Sequence, residues 1–399
     1  MLYLVIIALL VNMDSIVYFF EIPYQIIDMG GTQTVVSTLN IIHAIVYVLA
    51  AGISSSKYRV AEKNAFKQIK VLIICIASIY TITCFAPCIR WIYILVCLHG
   101  LLVGCFWSVF WSAFHKEKLQ TDIKMSTLTV SSAFCSVIGP VIAGKLYLFY
   151  TRYVLLLFAG ILFLMLFMEK ALQKVCREWK ERKKNVKQKT GIKKDIARMH
   201  REEEYIIRPE TEQREGIRMI LLLWMGIVFA GYLEGIFRSA MAVYLLSHDI
   251  DADVWGTLQS VKLLTQTFTL IGIRYIGEKR FVFPKTKEHL LFGLLCWLVG
   301  SVILGNTIFL PLMIMAMILL GMGYGVVYFL CMTAGTSLTG FLNRNLNGMA
   351  ECLTGAGILL GSALSIRIGE NPYSLFGGMV MVGISIVFFL MKNNIWIKQ

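Results

Sequence analysis

Twelve runs of predominantly apolar residues, most of them about twenty long and bounded by charge or glycine, constrain this 399-residue chain, because about twenty such residues make one helical crossing of a bilayer. They fall near 2–27, 35–54, 71–88, 92–114, 125–149 and 153–173, and, after a highly charged interval, near 217–246, 254–275, 289–305, 308–334, 345–367 and 373–391. In hydrocarbon each backbone N–H and C=O has to be satisfied within its own segment, so every run is expected to be an α-helix. With 57% hydrophobic and 16% charged residues, no room remains for a large soluble catalytic domain. The first run carries Asp14 and Glu21 with no basic segment ahead of it, and reads as a span rather than a leader.

Basic residues sort by loop. Lys57, Arg59, Lys63, Lys67 and Lys70 follow the second run, Lys116, Lys118 and Lys124 the fourth, and Arg274, Lys279, Arg280, Lys285 and Lys287 the eighth. The alternate loops are nearly free of cations, and the one after the seventh run holds Asp249, Asp251 and Asp253. The positive-inside rule then places both termini in the cytoplasm, for a multi-pass protein of the plasma (inner) membrane. Residues 169–216 form a basic connection, with Lys180, Arg182, Lys183 and Lys184, that divides residues 1–168 from 217–399 and supplies much of the +14 net charge. It reads as a helix lying on anionic lipid or as a docking segment for a soluble partner. With one Trp and one Tyr in it, nucleic-acid binding is not expected.

The two parts repeat. Asp14 falls on Glu234 and Gly52 on Gly272 at a shift of 220; Gly100 and Gly104 fall on Gly321 and Gly325 at 221; Gly139 falls on Gly361 at 222. Asn40, His43 and Tyr47 fall on Gln259, Lys262 and Gln266, each triplet spaced to share one helical face. The third run of every triplet has a charge-free middle and is expected to face lipid. Charge and polar stripes in runs 1, 2, 7, 8 and 11 are expected to line the interior.

The fold class this implies is an all-α membrane protein of twelve transmembrane helices in two pseudo-symmetric six-helix bundles. That architecture resembles the major facilitator superfamily over the whole chain. The superfamily's loop signature after the second helix, GxxxDRxGRK, stands here as Gly52-Ile53-Ser54-Ser55-Ser56-Lys57-Tyr58-Arg59, with Ser56 in the place of the acid. Gly139-Pro140-Val141-Ile142-Ala143-Gly144 is similar to the GPxxGG piece of proton-coupled exporters. The resemblance implies alternating access around a central cavity.

Asp14, Tyr18, Glu21 and Gln25 share one face of the first helix. A carboxyl in hydrocarbon takes up a proton or finds a cation, so Asp14 and Glu21 read either as proton-coupling or solute-contacting acids or as structural hydrogen-bonding groups. Glu234 and Arg238, one turn apart, make an intrahelical ion pair the economical arrangement. Lys262 sits too deep to reach water easily, beside Gln259 and Gln266, and needs an anionic solute group or an acid such as Glu234. His43, its repeat mate, reads as a proton relay or a neutral hydrogen-bonded histidine. Glu351 reads as a gating acid or as a carboxylate favoured by its helix N-terminus. Trp107, Trp111, Tyr324 and Tyr328 read as packing or as cavity aromatics.

The ten cysteines form no framework and read as small core residues, Cys84 and Cys88 included. No enzyme motif and no metal spacing is present in the sequence. The expectation is therefore a secondary active transporter of a small organic solute, coupled to protons, monomeric, and without a cofactor. The rival is a transporter-like receptor or assembly factor acting through the connection.

Overall fold

A computed structural model of the chain describes residues 2–57, 62–116, 125–150, 153–167, 211–276, 286–342, 346–368 and 383. The basic connection up to residue 210, and the twelfth run apart from Gly383, lie outside the described residues.

Eleven helices are described: α1 (Leu2–Asp28), α2 (Gln33–Lys57), α3 (Glu62–Cys84), α4 (Ile89–Lys116), α5 (Met125–Tyr150), α6 (Val154–Phe167), α7, α8 (Ala252–Ile276), α9 (Thr286–Gly305), α10 (Leu310–Leu342) and α11 (Leu346–Ile368). Helix α7 runs Thr211–Ile236, passes through a π-helical turn at Phe237–Met241 and ends as Ala242–Leu246. Nine of these helices are long and apolar enough to cross a membrane. Helix α8 has the length, but Asp253, Gln259, Lys262 and Gln266 dilute its apolar character. Helix α1 stops at Gly30, whose φ of 77° suits glycine, while the Gly31 N–H bonds the Ile26 carbonyl at 2.8 Å.

Packing repeats the sequence symmetry. Helix α1 lies on α5, α2 on α4, and α3 on α4; six helices later α7 lies on α11, α8 on α10, and α9 on α10. The halves meet where α2 packs on α11 and α5 on α8, two contacts that exchange under the same symmetry. The repeated glycines make the close crossings. A Cβ on Gly100 would strike the His43 carbonyl, one on Gly104 the Tyr47 carbonyl and one on Gly321 the Lys262 carbonyl; on Gly325 it would sit tightly against the Gln266 carbonyl at 3.1 Å. Lipid tails are as apolar as leucine, so close backbone packing of this kind holds membrane helices together.

Gly321→Ala is therefore expected to destabilise by about 1–3 kcal/mol, the usual cost of overpacking. Gly272→Ala, whose added Cβ meets nothing within 4 Å, is expected to leave the melting temperature unchanged or raised. Thermal unfolding of the two detergent-purified variants checks the contrast.

Helices α3, α6 and α9 border no part of the cavity described below and expose Val71, Ile74, Leu157, Leu164, Phe292 and Val299. Helices α2, α4, α8 and α10 expose an apolar strip as well, including Leu49, Leu98, Phe268 and Met315. The described side chains of α1 and α7 include no exposed large hydrophobic residue, so these two helices are the most enclosed.

Candidate functional site

Between the halves lies a cavity of about 190 Å³, lined from α1, α2, α4, α5, α7, α8, α10 and α11. The polar pattern in the sequence pointed to α1, α2, α7, α8 and α11. Helices α4, α5 and α10 join them through Trp107 and Trp111, Ser132 and Ser136, and Tyr324 and Tyr328. The four rings, which the sequence left open between packing and cavity, border the cavity, and the two serines inside an apolar run gave no signal. The lining runs from mid-helix toward the end bearing the basic loops. At the acidic-loop end the halves close on each other: Ser37 Oγ lies 3.0 Å from Ser365 Oγ, and Gly144 abuts the Ala252 backbone.

A three-membered ion cluster faces this cavity. Glu234 takes the Arg238 Nε–H on Oε1 at 3.1 Å and the Lys262 ammonium on Oε2 at 3.0 Å. Arg238 also lies 4.0 Å above the Phe19 ring, and Lys262 4.5 Å from the Phe237 ring centre. Within the cluster one acid stands between two cations, while Glu351 adds a second acid to the same cavity wall; Lys262 is only 6% exposed. Gln266, one turn beyond Lys262, and the stacked pair Tyr324 and Tyr328, with ring centres 5.8 Å apart, continue the wall.

The π turn sets Arg238. Asn40 of α2 reaches across to the π turn: its Nδ2 donates to the Arg238 carbonyl at 3.1 Å and to Ser239 Oγ at 3.2 Å. Ser239 in turn donates to Ser362 of α11 at 2.8 Å. Asn40→Ala is expected to remove both hydrogen bonds from α2 to the π turn, at about 0.5–1.5 kcal/mol each, read as a lowered unfolding temperature.

Glu351 of α11 ties the halves together. Tyr47 Oη–H donates to its Oε2 at 2.8 Å and Trp111 Nε1–H to its Oε1 at 3.3 Å, both donors coming from the N-terminal half. The carboxylate is thus held by a phenol and an indole that border the cavity, and not only by its helix N-terminus.

The polar stripe of α1 turns elsewhere. Leu9, Asn12, Ile16 and Phe19 border the cavity, whereas Asp14, Tyr18, Glu21 and Gln25 are buried on the opposite face and do not. Spacing put the four on one face, but helix rotation is set by packing, and α1 presents that face to α3 and α4, where Tyr18 stacks on Tyr80 and His99. In this conformation none of the four touches the cavity. His43 does border the cavity, and its Nε2 lies 3.2 Å from His99 Nδ1, a partner that sequence reasoning missed.

A family model described as Major Facilitator Superfamily matches residues 3–361. The chain belongs to the major facilitator superfamily. It is therefore a membrane transporter by family and not an enzyme. A structure of the nucleoside transporter NupG is similar over 98% of both chains, with a TM-score of 0.57 and 14% identity. A mutant of the peptide transporter POT in complex with sulfate has a TM-score of 0.67 and 13% identity over 98% of this chain and 94% of its own. At these identities the likeness shows the fold alone. No curated protein sequence matches the chain.

Within this superfamily fold the Gly139-Pro140 piece of α5 serves two interfaces. A Cβ on Gly139 would strike Val17 and Met13 of α1, and the Pro140 carbonyl is what excludes a Cβ from Gly256 of α8. One turn of α5 thus contacts its own half on one side and the opposite half on the other. In the loop signature after α2, Gly52 approaches Cys352 Sγ of α11 at the Cβ position, and Ser55 Oγ lies 3.1 Å from Ser108 Oγ of α4.

Proposed function

We propose that this superfamily member is a secondary active transporter of a small organic solute bearing an anionic group, coupled to protons, working by alternating access in the plasma (inner) membrane with both termini cytoplasmic. The observation that carries the reading is the Arg238–Glu234–Lys262 cluster on the cavity wall. A proton delivered to Glu234 neutralises the acid and leaves two cations facing the cavity. A carboxylate or phosphate of the solute can then take the place of Glu234, with both cations already aligned by Phe19 and Phe237. Proton and anion thus enter together, and loss of the proton restores the internal pair and expels the solute. Aromatic side chains such as Trp107, Phe110 and Tyr328 around the same space suit an apolar or planar remainder on the solute.

A thermal-shift series of small aromatic and aliphatic carboxylates and phosphate monoesters on the purified chain tests this. A ligand at a hundredfold its dissociation constant stabilises by about 2.7 kcal/mol. The expected result is a shift for anionic members that fades in their neutral amides and in Lys262→Gln. Shifts confined to cationic or neutral compounds, undiminished in Lys262→Gln, would contradict the anionic reading.

A further inference from the structure

The cavity has a second charged end. Arg238 and Lys262 face it near mid-helix, and Glu351 of α11 borders it nearer the basic loops. The register of α7 on α11 gives the spacing. A Cβ on Gly231 would strike the Thr354 carbonyl and one on Gly235 the Ile358 carbonyl, so the two helices run side by side in one direction, with Glu234 level with Gly357. Glu351 stands six residues before Gly357. At the rise of an α-helix that is about 9 Å along the axis.

Two rows of rings run along this interval. On α10 the Tyr324 ring centre is 5.8 Å from Lys262 Nζ, and Tyr328 stacks on Tyr324 at 5.8 Å. On α4 Trp107 stacks on Trp111 at 6.3 Å, and the Trp111 indole donates to Glu351. All four rings border the cavity. The space is a slot with cations at one end, an acid at the other and aromatic walls between.

The two ends differ in how their charge is met. Arg238 and Lys262 are paired with Glu234. Glu351 has two neutral donors, Tyr47 and Trp111, and among the described residues no cation pairs with it. Interior charges are ordinarily paired, so this acid lacks a countercharge. Each carboxylate oxygen accepts one of the two bonds and keeps a second acceptor position. The side chain is half-buried on the cavity wall, within reach of a solute.

We propose that Glu351 binds a cationic group of the solute, so that the transported class is dipolar: a carboxylate or phosphate at one end, an ammonium at the other and an apolar or aromatic spacer between. The proposal rests on the anionic reading above and extends it to the far end of the solute. The ammonium donates to the remaining acceptor positions of Glu351, while Tyr47 and Trp111 hold the carboxylate in place. The spacer lies between the two rows of rings. Fixed ends make the slot a ruler: a short solute leaves one end unmet, and a long one has to fold back.

Calorimetric titration of the full chain in lipid nanodiscs tests this with two homologous series, ω-amino carboxylates with three to seven methylenes and plain carboxylates of equal length. At its best length the amino carboxylate is expected to bind at least about tenfold more tightly than its plain counterpart, the low end for a hydrogen bond to a charged group. Lys262→Gln should weaken both series. Glu351→Gln should remove only the difference between them, and because the comparison is made within one variant, any change in conformational balance cancels. Glu351→Asp withdraws the carboxylate by one methylene and should lengthen the preferred ligand by one, which a purely structural acid would not do.

No advantage for the amino group at any length, or an advantage that Glu351→Gln leaves intact, would overturn the second end. Plain carboxylates that still bind through Lys262 would in that case leave the anionic reading standing. Where Glu351→Gln does not fold, the parent and Glu351→Asp decide: a gain equal at every length, or a preferred length that stays put in Glu351→Asp, would overturn the proposal. Binding by neither series would contradict the anionic reading and the second end with it.

Discussion

Glu234→Gln is expected to be among the most damaging single changes at the cavity. Removing the acid strands Lys262 and Arg238, two cations with little access to water, and breaking a buried pair by deleting one partner costs about 3–5 kcal/mol. The melting temperature should fall accordingly. Lys262→Gln in the same chain should recover part of the loss, and the double-mutant cycle should return a clear coupling energy. Because Gln imitates the protonated acid, the variant should also bind an anionic solute without regard to pH while losing uphill transport. A single variant as stable as the parent, with coupling near zero in the cycle, would mean that the cluster is not the organising charge of this cavity.

Glu351→Ala is expected to change the conformational balance rather than the fold. The side chain accepts two hydrogen bonds from the opposite half, and bonds to a charged acceptor contribute about 1.5–3 kcal/mol each. Losing even the lesser sum, about 3 kcal/mol, corresponds to about a hundredfold change in population. Ser132→Cys, on the α5 wall of the cavity, should then react correspondingly faster with a membrane-impermeant thiol reagent applied from the basic-loop side. Glu351→Gln, which keeps an acceptor oxygen, should fall between. Equal labelling rates in the parent and Glu351→Ala would contradict a clamp.

Much of this architecture was legible because bilayer physics makes helices readable from apolar length, and because the repeat carries its own check. Gly100, Gly104, Gly321 and Gly325 were visible as a periodic set, and they turn out to pack on the backbones of the residues paired by the same repeat. The site was legible only in part. Spacing shows which side chains share a face but not where the face points, and so the Asp14 stripe belongs to the inside of one half while Phe19 meets the cavity. The π turn at Phe237–Met241 has no glycine or proline to announce it. His99 and Tyr80 are single polar residues in apolar runs, unremarkable until α2, α3 and α4 bring them together. Glu351 was read against its own helix, since its partners Tyr47 and Trp111 lie 304 and 240 residues away in sequence.

Alternating access requires a cavity that opens to each side of the membrane in turn. Gln259 lies on its α8 wall, one turn before Lys262. Gln259→Cys in a chain whose native cysteines are replaced, reacted with an impermeant thiol reagent in right-side-out and in inverted vesicles, measures that exposure directly. Labelling is expected from both faces, with proportions that respond to pH and lose that response in Glu234→Gln. Labelling from one face only at every pH, in protein that remains folded, would contradict it.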